Sequence, residues 1–273
     1  NSDVDMTSLN TTVGGGTTDG AISSLFTHGT VDVHTTEFHL TKFGHINGDG
    51  LSVEKLGAAQ KSIGNKYNNF GGAHAGEGGG KGNFGGAHVV DVDVEYDSKC
   101  LAAANCILRL PGTNAGYGDY EWPRTGGSSG GHPTPNPSTG QSTFAEGGAA
   151  FYLTATNAYV DGVISMRGEN GEKACSRCGG ASGGSILIST TSINGNGTLD
   201  VSGGMGGEVA SQHPPYKRGN GGGGGRIAIH AGSNSYIGVL KYNGGSPDLR
   251  HTDLHDLNPF GASGTCYVTD KST

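Results

Sequence analysis

The sequence predicts an all-β protein, a parallel β-helix (β-solenoid) with long Gly-rich loops. Three observations carry that expectation. Glycine supplies 54 of the 273 residues, far above its ordinary share of roughly 7%. Short apolar segments alternate with period two, the mark of strands with one buried face. A unit of two such strands around a bend recurs between glycine clusters, as stacked repeats do in sequence.

Taken in order, the polar, Thr-rich segment 1–36 is expected to form an N-terminal arm or cap, and 37–273 a single solenoid domain whose clearest coils lie at 147–268. Residues 38–57, FHLTKFGHINGDGLSVEKLG, hold an Ile-Asn-Gly-x-Gly bend that returns as INGNG at 193–197. Residues 86–96, GAHVVDVDVEY, alternate as a strand does, and NFGGAH occurs at both 69–74 and 83–88.

The repeat is plainest in the second half. Residues 147–171 read GGAAFYLTATNAYVDGVISMRGENG, residues 183–207 read GGSILISTTSINGNGTLDVSGGMGG, and residues 224–245 read GGRIAIHAGSNSYIGVLKYNGG. Each opens on Gly-Gly, enters an alternating strand, bends, forms a second short strand and closes on glycines. Alternation assigns the faces. Ile186 and Ile188 share one face with Leu187 opposite, and Ile227 and Ile229 oppose Arg226, Ala228 and His230. No segment sustains a 3.6-residue apolar stripe, and each interior glycine costs a helix about 1 kcal/mol.

One unit carries too little apolar surface to fold alone. Stacked strands about 4.8 Å apart pair their backbones and align Ile, Leu and Val in interior columns. About six coils are expected, with GEGGGKG (76–82) and KRGNGGGGG (217–225) as return loops between them. A polyglycine-II bundle at 221–225 is disfavoured, because it requires Gly at every third position over long stretches.

Charge is sparse, at 15% Asp, Glu, Lys and Arg with a net −7. Such a balance offers no electrostatic footprint for nucleic acid, and no apolar run is long enough to span a bilayer as a helix. The chain starts at Asn1 without Met or a signal peptide, as a processed chain or a piece of a longer one would. Cys100 with Cys106, and Cys175 with Cys178, are close enough in sequence to form local disulfides. Zinc is the rival use of Cys175-x-x-Cys178, although no second Cys-x-x-Cys exists to complete four ligands. Cys266 is the odd cysteine. Asn10-Thr-Thr and Asn196-Gly-Thr are glycosylation sequons.

The search for chemistry yields few candidates. Asp91, Asp93 and Glu95 alternate with Val90, Val92 and Val94. They form either a solvated strand face or a weak Ca²⁺ site of hard oxygens. Tyr117, Tyr120 and Trp122, in YGDYEWP, form the one dense aromatic set, able to stack on sugar or to anchor a loop. No nucleophile elbow or phosphate loop is present, and the eleven histidines are scattered. The chain is therefore expected not to be an enzyme and to need no cofactor.

The composite of Gly183 to Ile188, Ile193 to Gly207, Gly221 to Ile229 and Gly261 to Tyr267 resembles the glycine-rich β-helix extracellular proteins of microbial eukaryotes. In particular it is similar to the flagellar-hair (mastigoneme) and sexually induced glycine-rich proteins of heterokont algae. The resemblance covers roughly 147–268. It implies a secreted, glycosylated, filament-forming or surface-coating component.

The expected function is that of a structural protomer of an extracellular filament, flagellar hair or surface coat. It would polymerise with itself through its solenoid ends or its N-terminal arm. The alternative is a secreted β-helix that binds or cleaves carbohydrate.

Overall fold

The computed structural model describes residues 4–13, 23–26, 29–52, 72, 74–75, 82–84, 88–91, 106–109, 118–130, 145–171, 178–207, 219–247 and 260–270. Among them the protein is all-β with almost no helix.

Two parallel sheets organise it. The larger is formed by β1 (Val4–Val13), β3 (Thr30–Leu40), β8 (Ala150–Val160), β10 (Ser185–Gly195), β12 (Arg226–Tyr236) and β14 (Thr265–Asp270), adjacent in that order. The smaller holds β2 (Ser23–Phe26), β4 (Gly44–Asn47), β9 (Val163–Ser165), β11 (Thr198–Asp200) and β13 (Val239–Lys241), again in chain order. Every pairing within these two sheets is parallel. Chain order and sheet order coincide because each repeat contributes one long strand to the first sheet and one short strand to the second. A separate small sheet contains β5 (Gly82–Phe84), β7 (Cys106–Arg109) and β6 (His88–Asp91).

The recurring segments at 147–171, 183–207 and 224–245 are β8/β9, β10/β11 and β12/β13, in step with one another. Phe151, Ile186 and Ile227 stand side by side, as do Leu153, Ile188 and Ile229. These columns face Ile46, Ile164 and Leu199 of the smaller sheet in one apolar core. Burying one such side chain contributes about 1.5–3 kcal/mol, so stacking supplies what a single unit lacks. Segment 1–36 provides β1, β2 and the start of β3, and the expected boundary at 36/37 lies inside β3.

The long strands share a feature that strict alternation missed. Thr36, Thr156, Thr191 and Gly232 each drop out of the pairing register. The extra residue reverses the parity of the pleat, as bulges do. In β8, Phe151, Leu153 and Ala155 are buried before it, and Ala158 and Val160 after it.

The glycine runs correct the sequence expectation. Residues 219–225 are not an exposed return loop but are buried throughout. Their backbone bonds to Gly72, Gly180, Gly183, Val201, Gly204, Gly207, Gly245 and Ala262. A strand in a sheet pairs with two neighbours. This segment pairs with several, in the manner of a polyglycine-II bundle. The close approaches recur every third residue: Gly219 lies against Cys178, Gly222 against Ala181 and Gly225 against Gly184. A Cβ on any of the three would stand 1.9–2.1 Å from a carbonyl oxygen, where no side chain fits. The threefold spacing expected of such a bundle is present in space, but in the sequence it is hidden by the neighbouring glycines.

Candidate functional site

The first candidate lies on the outer face of the larger sheet. Register places Asp32, Tyr152, Leu187, Ala228 and Tyr267 in one outward row. Tyr152, Leu187 and Ala228 are buried there with Ala150, and Tyr267 packs against them. Residues 118–130 are tied to this region: Ser185 Oγ donates to the Thr125 carbonyl (2.6 Å), and Ser128 N–H donates to Ser182 Oγ (2.7 Å).

The Asp119 carboxylate shapes the start of that segment by accepting the N–H groups of Glu121 (2.7 Å) and Trp122 (2.8 Å). These two bonds hold its pKa below the ordinary carboxylate value, with the Arg226 charge acting in the same direction. The resulting turn aims Trp122 at the sheet. Its indole stacks on His230 with ring centroids 4.0 Å apart and planes 10° from parallel. His230 Nε2 lies 2.6 Å from the Glu121 carbonyl. Tyr120 meets Tyr267 edge-on at 5.7 Å and donates its hydroxyl to Glu121 Oε1 (2.8 Å). That bond raises the tyrosine pKa. Arg124 lies over the Tyr152 ring, 5.2 Å from its centroid.

Trp122 and Tyr120 therefore anchor the segment and still keep 48% and 53% of their surface in solvent. Tyr117, the third aromatic picked from the sequence, lies outside the described residues. His230 and Tyr267 were missed as partners. The outward parity of His230 was legible in RIAIH, but nothing local linked it to a segment so distant in sequence.

Beneath the segment, His74 is fully buried. Its Nδ1 lies 2.8 Å from the Gly183 carbonyl and its Nε2 2.9 Å from Thr125 Oγ1. Burial pushes its pKa down to about 4, with the Arg226 charge adding to the effect and the bond to Gly183 opposing it.

The second candidate is the end of the stack formed by β13 and β14. β14 covers β12 only from Arg226 to Ala231, and β13 is the edge of the smaller sheet. Ile237 is 83% exposed and Val239 52%, with Val268 also exposed. Cys266, aligned with the Ile186–Ile227 column, is a free, exposed cysteine.

The remaining sequence candidates fall as follows. Asn196 is exposed in the bend between β10 and β11, its N–H donating to Asp161 Oδ1 (3.2 Å). Asn10 lies in β1, opposite Glu37 in register. Cys178 is buried and disulfide-bonded, Cys106 opens β7, and Cys100 and Cys175 lie outside the described residues. Asp91 ends β6, and Asp93 and Glu95 lie outside the described residues. Among the described residues no group of His, Cys, Asp and Glu is arranged to hold a metal ion, and no helix is long and apolar enough to cross a membrane.

No protein-family model, curated protein or solved structure matches this chain.

Proposed function

We propose that the protein is a structural protomer of an extracellular filament, flagellar hair or surface coat, built as a parallel β-solenoid that polymerises by stacking end to end. The observation that carries this reading is the row of exposed aliphatic side chains, Ile237, Val239 and Val268, at the β13/β14 end. An uncovered edge of this kind is a template for further pairing.

The occupant we assign to it is the β1/β2 end of a second copy. All strands of both sheets run parallel, so the opposite end of the same protomer offers edges of matching direction, and a ladder extends without inversion. Such a head-to-tail contact is heterologous and produces an open filament. The disulfide at Cys178 supports an oxidising, extracellular setting. The exposed Asn196 sequon supports a glycosylated surface. The resemblance to flagellar-hair proteins points the same way.

Light scattering on the purified chain at rising concentration tests the proposal. Growing assemblies are expected, and Ile237→Lys with Val239→Lys should abolish them. These positions are exposed, so the double variant should change fold stability by no more than about 0.5 kcal/mol per site. A wild type that stays monomeric at high concentration overturns the proposal.

A further inference from the structure

The outer face of the larger sheet carries two stacked ring pairs, not one. Trp122 lies on His230 near the β14 edge. Tyr159 lies on His39 toward the β1 edge, centroids 4.6 Å apart and planes 11° from parallel. Register puts both on one face. His230 aligns with Ser189, Thr154 and His34, and Tyr159 with His39 and Asn194. The two pairs sit two strands apart and five residues along, a separation of roughly 18 Å from ordinary strand spacing and rise.

Between them runs a hydrogen-bonded ladder. Asn157 Nδ2 donates to Glu37 Oε1 (2.6 Å), and Ser192 Oγ donates to Asn157 Oδ1 (2.6 Å). Thr154, Thr156, Thr191 and Asn194 are exposed around it. The centre of this face is thus hydroxyl and amide, without the apolar core that marks a protein–protein interface. A ring whose inner face is already covered keeps its outer face for an apolar, flat partner with polar edges. The C–H face of a pyranose is such a partner, and its hydroxyls match the ladder.

We propose that this face binds an extended neutral polysaccharide, with Trp122 and Tyr159 as two stacking platforms and the Glu37–Asn157–Ser192 ladder contacting hydroxyls between them. Neutral sugar is favoured over acidic sugar because Asp32, Glu37, Asp119 and Glu121 all border the face, whereas Arg124, the one arginine beside them, is placed over Tyr152. The inference does not depend on end-to-end stacking. A monomer would carry the same face.

Trp122 is the protein's single tryptophan, so intrinsic fluorescence reports on one platform alone. The probes are cello-, chito-, laminari- and manno-hexaoses and their trisaccharides, with oligogalacturonates as the acidic series. At least one neutral hexaose is expected to shift Trp122 emission saturably. Tyr159→Ala should weaken that hexaose about tenfold while leaving trisaccharide binding at Trp122 unchanged. Trp122→Ala, followed by calorimetry, should weaken both. Both side chains are exposed, and unchanged circular dichroism verifies the fold. No response to any neutral hexaose, a response to the acidic series alone, or binding indifferent to both substitutions overturns the proposal.

Discussion

Gly222 approaches Ala181 so closely that a Cβ on the glycine would stand 2.0 Å from the alanine carbonyl oxygen. Gly222 N–H meanwhile donates to the Gly204 carbonyl (2.9 Å), and the Gly222 carbonyl accepts from Gly245 (2.7 Å). One glycine thus joins three extended segments through its backbone. The glycine excess therefore has a packing cause, because side chains would hold these segments apart.

Gly222→Ala is expected to destabilise the fold by about 3 kcal/mol or more, at or above the upper end for overpacking a close-packed interior. Met205→Ala, at an exposed position between bundle glycines, should cost less than about 0.5 kcal/mol. Chemical denaturation of the two variants checks the contrast. Equal, small losses would mean that the bundle tolerates side chains.

His74 gives the fold a defined acid response. Its pKa is near 6.5 when unfolded and about 4 when buried, so the folded state resists the proton that the unfolded state takes up. The stability it permits is complete above about pH 6.5, falls as pH drops toward 4, and is lost by roughly 3 kcal/mol below that. His74→Gln removes the titration. The difference in unfolding free energy between wild type and this variant should change by that amount between pH 7 and pH 4. A pH-independent difference contradicts the burial of a neutral imidazole.

The stack of Trp122 on His230 is open to a direct optical check. With one indole face covered, acrylamide quenching of the single tryptophan should rise roughly twofold in His230→Ala, which opens the second face. Unchanged quenching would place the indole elsewhere.

Stacking of the core columns sets a further expectation. Ile188 is fully buried between Leu153 and Ile229, and Ile188→Ala should cost about 2–5 kcal/mol. Leu187→Ala, on the other face in the smaller cluster under residues 118–130, should cost less because that layer is thinner. Equal costs would place the main core on the wrong face.

How much of this was legible follows from the range of each interaction. The two-strand units at 147–171, 183–207 and 224–245 were readable because alternation is local: Ile186, Ile188, Ile227 and Ile229 are buried inward as their spacing requires. The reversal of parity at Thr156 and Thr191 was not, since a stacked bulge is defined by neighbouring strands. The bundle was hidden because 221–225 is glycine at every position, so the subset that touches other segments has no distinguishing residue type. Trp122 and Tyr120 stood out as a dense aromatic group. His230, Tyr267, His39 and Tyr159 joined the same face only through register between distant strands.

The central proposal is that protomers stack so that the two sheets continue from one copy into the next. Electron microscopy of the purified chain at high concentration tests this most directly. The expected result is filaments whose diffraction shows an unbroken axial repeat of about 4.8 Å running through the junctions, lost in the Ile237→Lys, Val239→Lys variant. Dispersed single particles, or filaments unaffected by that variant, would contradict it.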